Sequence, residues 1–511
     1  MFKPRSSRMY ASIAAVTAAS LLLVSCSDNA GNSASEAPTG EKGGEETVLR
    51  VGALGKTADA QRDPHKLLPN DSDMLINSLI WDAMTVPGSD EVVESRLMDS
   101  WEQTGDTTWE FTVNDHARFH DGTDVTADDA EWSLHRLLED EGNYYKLPVI
   151  PESIKAIDED TVAMETEEPN SQLPMLARLM TFVMKKDTTP EDAMGTGPFK
   201  LESWNNGSAT LVANENYHGH KPEIDKIEVI PFEDTTAMTN AIVSGQIDLA
   251  QSVGATAART AEGNDDLQVL TRSNDSVLPV AMRTSDGPFA DEKVREAIRL
   301  GVDRQAIVDG ALSGFGKTAN DVLGTGDPNL DTSLQRERDI DKAKKLLEEA
   351  DFDLDKTYEL YVTPEAPGQL DAMKLFAEQM KDIGVKVNVV EKESGTFYDE
   401  IWTKADLYST YWGTNDTTLF FAGKVLDGDA PSNETAFDDQ EFNETYSKLL
   451  ASNDEDEIVE LNKKLQEIQY NRGGYVVWGS SDAVDIAAKN VNGVPDAPGY
   501  GRVKLETVTK S

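Results

Sequence analysis

The chain has 511 residues, with 93 aspartates and glutamates against 47 lysines and arginines, a formal net charge of −46. That balance disfavours nucleic acid as a partner, because phosphate binding needs a basic patch. The single cysteine, Cys26, excludes an internal disulfide, and a chain long enough for two or three domains needs none.

Lys3, Arg5 and Arg8 precede an apolar or small run from Tyr10 to Val24, followed by Ser25 and Cys26. A basic start, an apolar run and a small residue are the layout of a secretory signal, expected at 1–25. As a helix the run would span about 22 Å against roughly 30 Å of bilayer hydrocarbon, so a permanent membrane helix is the weaker reading. Leu23-Val24-Ser25-Cys26 resembles the lipobox of bacterial lipoproteins. The resemblance implies that Cys26 becomes the first residue and carries lipid on its thiol. Residues 27–47, SDNAGNSASEAPTGEKGGEET, are small and polar without apolar periodicity. A flexible tether over 26–47 follows, with a mean reach of roughly 25 Å.

The body begins near residue 48. Strands are predicted at 48–53 and 108–113, and a helix at 127–138. Further on, helices are expected at 291–300, with Val294, Ala297 and Ile298 on one face, and at 341–350, with Ala343, Leu346, Leu347 and Ala350 on one face. Asp303 stands at an N-cap-like position before Arg304. A strand at 358–363, a helix at 369–383 ended by Gly384 and a strand at 385–390 imply a right-handed parallel crossover. A strand is predicted over 406–412. The class is α/β with more than one lobe.

Several short motifs fail on inspection. "GFGKT" at 314–318 lacks the glycine a phosphate loop needs, since Ala311 stands there, and reads as a helix-ending glycine turn. "HARFH" at 116–120 lacks the glutamate of a zinc protease, and "HGH" at 218–220 reads as a turn. "DFDLD" at 351–355 lacks the glycine and glutamate of a calcium loop. No catalytic set, metal ligand set or cofactor motif is found.

Longer blocks agree with one family. "LMDSWEQTGDTTWEFTVNDHARFHDGTDVTADDAEWSL" (97–134), "GTGPFKLESWNNG" (195–207), "AIVSGQIDLA" (241–250), "GPFADEKVREAIRLGVDRQAIV" (287–308) and "DIDKAKKLLEEADF" (339–352) resemble, in order, segments of the extracytoplasmic solute-binding proteins of family 5. These are the peptide- and nickel-binding components of ABC importers. The resemblance implies a two-lobe clam-shell of the periplasmic-binding-protein type II kind, with an extra subdomain inserted in lobe one. Lobe one would comprise 48–283, with the insertion at about 76–187, and a C-terminal return at 480–511. Lobe two would comprise 284–479. The implied partners are a small-molecule or short-peptide ligand held by hinge closure and the permease subunits of the importer. A monomer on the extracytoplasmic face of the cell membrane is expected.

In peptide binders of this family a tryptophan shortly precedes an aspartate that pairs with the peptide's α-amino group. Here "YWGTND" supplies Tyr411 and Trp412; Asn415 stands at the usual distance and Asp416 one position later. These four residues are the implied ligand contacts. Other branches carry an arginine near this point, and none occurs here. The scaffold remains open to another solute, such as a nickel chelate, haem, an opine or a sugar; a secreted enzyme is the weaker alternative.

Overall fold

The computed structural model describes residues 46–511 apart from 57–59, 67, 69, 89–92, 140–146, 179, 365, 414–416, 498 and 500–502. Cys26, Asn415 and Asp416 lie outside the described residues. Two large sheets organise the rest. The first has nine strands. Its path runs Trp412–Gly413, Leu267–Val277, Gly479–Ala488, Leu249–Ala250, Val48–Leu54, Lys226–Phe232, Ser208–Ala213 and Phe199–Asn205, and Gly316–Thr318 pairs off it with Gly479–Ala488. Val48–Leu54 is central and parallel to both neighbours. Its Leu49, Val51 and Ala53 are fully buried, as a strand covered by other elements requires. Gly52 lies so close to Ile247 that a Cβ there would sit 2.7 Å from the end of that side chain, so a larger residue would have to displace it.

The second sheet runs Lys386–Glu391, Thr357–Val362, Leu407–Ser409, Val280–Met282 and Tyr475–Val476. Thr357–Val362 and Lys386–Glu391 are parallel and joined through the helix Gln369–Met380. That helix buries Met373, Phe376 and Met380, and the chain turns at Gly384 with φ +87°. Asp291, Asp303 and Asp339 each accept a backbone N–H at the start of their helices, which satisfies a donor the helix itself leaves unpaired.

A four-stranded antiparallel sheet, Met98–Gln103, Thr108–Val113, Thr161–Glu165 and Lys155–Ala156, lies between the first and later strands of the nine-stranded sheet in sequence. Trp109, Phe111 and Phe119 are buried there. Of the two histidines in its "HARFH" segment, His120 is held by the carbonyls of Ala193 and Gly197, at 3.4 and 3.2 Å, and His116 lies exposed beside Asp115. "GFGKT" follows a helix ending at Leu312, turns at Ser313 and Gly314 with positive φ, and enters the strand Gly316–Thr318.

The chain passes directly between the two large sheets three times: Val277 to Val280, Ser409 to Trp412, and Val476 to Gly479. The strand predicted over 406–412 is therefore two strands in two sheets, broken at Thr410 and Tyr411. Two crossings are tied by Trp478 Nε1, which donates to the Leu278 carbonyl at 2.7 Å, and the helix Gln369–Met380 holds the other, Gln369 Nε2 donating to the Thr410 carbonyl at 3.3 Å.

Candidate functional site

The second crossing carries Trp412. Its strand pairs with Val277 and Ser276, whose other neighbours are Ser480 and Ser481. The indole is half-buried and meets Phe421 edge-on, with ring centroids 5.8 Å apart and an interplanar angle of 90°. Tyr411, beside it in the crossing, is 40% exposed. Residues 414–416 are flanked by fixed points. Gly413 is in register with Ser276. On the far side Thr417 caps the helix Thr418–Phe421 by accepting from Phe420 N, and Asp327 accepts the Thr418 N–H at 2.8 Å. Thr417 Oγ1 also donates to Met175 Sδ at 3.6 Å, and Ser171 N donates to the Leu450 carbonyl at 2.6 Å. The inserted segment thus touches the elements that follow Trp412.

Beneath Trp412 lies Glu434, 1% exposed. Its Oε1 accepts from Trp402 Nε1 at 2.7 Å, and its Oε2 from Tyr475 OH at 2.7 Å, Thr410 Oγ1 at 3.1 Å and Trp412 Nε1 at 3.3 Å. Tyr408 OH donates to its backbone carbonyl at 2.5 Å. Burial pushes this carboxyl above its ordinary range, and the four donors pull it back in part.

The neighbouring strand bends at a bulge between Arg272 and Ser276. The buried Arg272 guanidinium engages Asp485, Asp275 at 3.2 Å and Ser252 at 3.0 Å. Asn274, with φ +57°, exchanges hydrogen bonds with Thr325, its Nδ2 donating to the carbonyl and its Oδ1 accepting from Oγ1, each at 3.1 Å. A small cavity of about 60 Å³ lies elsewhere, beside the helix Asp71–Ile80, among Met74, Trp81, Asp82, Arg96 and Phe182. Its Arg96 is already paired, with Asp82 at 2.6 Å and Glu506 at 2.7 Å, and none of its lining residues belongs to a crossing. Among the described residues no group of three or more His, Cys, Asp or Glu is placed to hold a metal, and no helix is long and apolar enough to cross a membrane.

Residues 92–429 match the family described as bacterial extracellular solute-binding proteins, family 5, middle region. This chain is a family 5 solute-binding protein. It is 25% identical over 420 residues to a probable D,D-dipeptide-binding periplasmic protein of Escherichia coli K12, covering 75% of this chain and 78% of that one. It is 24% identical over 483 residues to the nickel-binding periplasmic protein of the same strain, covering 87% and 92%. Among solved structures it resembles an ABC transporter-associated periplasmic binding protein of Helicobacter pylori in complex with the peptide STSA. There the TM-score is 0.77 at 19% identity, over 91% of this chain and 98% of that one.

The two sheets with their crossings are the two-lobe clam-shell of these proteins, α/β in class, with the four-stranded sheet as the subdomain inserted in lobe one. A family 5 protein is the solute-binding component of an ABC importer, and the family and its neighbours bind solutes rather than transform them. Of the four implied ligand contacts, Tyr411 and Trp412 fall together on one crossing. Reading the sequence did not find Glu434, Trp402 or Tyr475. Glu434 is one acid among 93, and no local pattern around it marks a residue that four distant donors will share.

Proposed function

We propose that this chain is a lipid-anchored extracytoplasmic receptor that captures short peptides by hinge closure and passes them to the permease of an ABC importer. The observation that carries the reading is the position of Trp412, on a strand that crosses between the two lobes beside residues 414–416. An aromatic wall next to polar groups at a lobe junction suits an enclosed small ligand. The relatives named for a D,D-dipeptide and for the peptide STSA support peptides; the nickel-binding relative supports a chelate as the competing solute.

In this reading the peptide amine lies near Asp416 or Asn415, against Trp412 and Tyr411. A buried ammonium needs a charge partner, since desolvation costs several kcal/mol. Asp416→Asn should weaken binding of a free peptide by about 1.5–3 kcal/mol, the worth of a charged hydrogen bond. N-acetylation should cost the wild type a similar amount and the variant little. Calorimetry on those four combinations tests it: equal affinity for free and acetylated peptide in the wild type sinks amine capture, and saturable binding of nickel chelates alone replaces the solute.

Cys26 is the proposed mooring, with 1–25 removed and 26–47 as tether. One acyl chain anchors a protein marginally and two or more anchor it stably. Cys26→Ser should therefore release the protein from the membrane or leave it unprocessed. A processed variant that still needs detergent for extraction is the contrary result.

A further inference from the structure

We propose that Glu434 is a positioning residue of the ligand site: it fixes the Trp412 indole and sets a negative charge behind it, so that this wall favours a cationic group of the solute. The inference rests on the reading of Trp412 as a ligand wall.

Both oxygens of this side chain act as acceptors. Four donors converge on its two oxygens, from Trp402, Thr410, Trp412 and Tyr475. An indole N–H can only donate, and one stands on each oxygen, Trp402 on Oε1 and Trp412 on Oε2. A glutamine there would aim an NH2 group at them, while a carboxylate accepts all four. The four come from three places in the chain: the turn before the strand Leu407–Ser409, two positions of the Ser409-to-Trp412 crossing, and the strand that leads into the Val476-to-Gly479 crossing. Through them Glu434 holds two of the three crossings in one arrangement.

No cation answers this carboxyl. All four donors are neutral groups, and among the described residues no lysine, arginine or histidine pairs with this carboxylate. Buried charges are ordinarily paired, and a lone one is costly. A cation bound on the far face of Trp412 supplies the missing opposite charge across the ring. The indole already attracts cations to its face, and its N–H bond to an anion adds electron density to that face. A chain that only needed to pack this junction could do so with apolar groups at less cost.

The test uses trialanine and N-acetyl-trialanine as probes, with calorimetry on the wild type, Glu434→Gln, Trp412→Phe and the double variant, each first checked for cooperative melting. The wild type should prefer the free amine. Glu434→Gln should cut that preference by about tenfold, the order expected from losing one charge at this range in a partly screened site, beyond whatever both probes lose in common as the indole is freed. In the Trp412→Phe background the same substitution should add little. A preference that survives intact in Glu434→Gln overturns the inference. So does one that survives in Trp412→Phe, which decides the matter if Glu434→Gln does not fold. Equal loss for both probes also overturns it, because it marks Glu434 as packing alone. A wild type without preference for the free amine overturns the amine reading and this inference together; the other contrary results leave amine capture by Asp416 standing.

Discussion

The ring of His65 is 1% exposed and held at both nitrogens. Nε2 lies 2.7 Å from the Phe182 carbonyl, which can only accept, and Nδ1 lies 2.9 Å from Arg136 Nη1, which can only donate. The imidazole is therefore neutral, with its proton on Nε2. Arg136 in turn clamps Asp63 through both nitrogens, at 2.6 and 2.5 Å. Burial first, and then the Arg136 charge, hold His65 down to about 4, against the opposing pull of the Phe182 carbonyl and Asp63. The sign of the linkage follows. Between the ordinary histidine value of about 6.5 and about 4 the unfolded chain takes up a proton that the folded one refuses. Stability from His65 is complete above that window and is lost as pH falls through it, by about 3 kcal/mol in all. Unfolding in denaturant at a series of pH values should show this slope, and His65→Leu should flatten it by up to one proton. An unchanged slope in the variant assigns the acid limb to the carboxylates instead.

At the scale of an element, the helix Glu455–Arg472 shows how an acidic protein uses its few cations. Asp454 caps its start by accepting from Glu457 N at 3.0 Å, and Glu455, Asp456 and Glu457 fill the first turn, where the helix dipole favours anions. The other end is covered by arginines. Arg336 donates to the Tyr470 carbonyl at 2.6 Å, Arg299 to Asn471 at 2.8 Å and to Gly473 at 2.7 Å, and Arg295 to Arg472 at 2.7 Å. These carbonyls have no partner within the helix. Arg336 and Arg304 share Asp321 Oδ2, at 2.8 and 2.6 Å. Burial, with Arg336, Arg295 and Arg304 nearby, brings Arg299 down to about 9, so it stays charged at neutral pH. Arg299→Met should lower the unfolding free energy by about 2 kcal/mol, the net of two charged hydrogen bonds lost and one buried charge relieved. Arg299→Lys, which keeps the charge without the fork, should fall between. If chemical denaturation finds Arg299→Met neutral, the capping does not outweigh the burial of the guanidinium.

For the whole molecule the three crossings decide what motion is available. Lobes joined by short strands rotate about those strands, the hinge closure known from periplasmic binding proteins. Thr410, Trp478 and Leu278 lie in the crossings and are buried and hydrogen-bonded, so bending there has to preserve those bonds. Small-angle scattering of the protein with and without saturating peptide should show a smaller radius of gyration in the bound state. A radius that does not change at saturation counts against closure. Ser171 N of the inserted segment donates to the Leu450 carbonyl, so Ser171→Pro, which removes that donor, should shift the ligand-free population toward larger radii while leaving the melting temperature within a few degrees.

Local chemistry was enough to read much of this protein from its residues. The strand at 48–53, the cap at Asp303 and the turn at Gly384 depend on neighbours a few positions away, so they are legible in order along the chain. The family blocks are legible for the same reason, and with them the two-lobe class and the Trp412 segment. The strand predicted over 406–412 marks where that ends: its composition is continuous, and only the sheets on either side break it at Thr410 and Tyr411. Glu434 goes further. Its donors stand 32, 24, 22 and 41 positions away, and the arginines that cap Glu455–Arg472 reach it across more than a hundred. Side chains so far apart in sequence meet only once strand order and crossings are fixed. The reason is physical: a backbone hydrogen bond or a cap acts within a turn, whereas a buried charge takes its partners from whatever elements the packed core brings beside it.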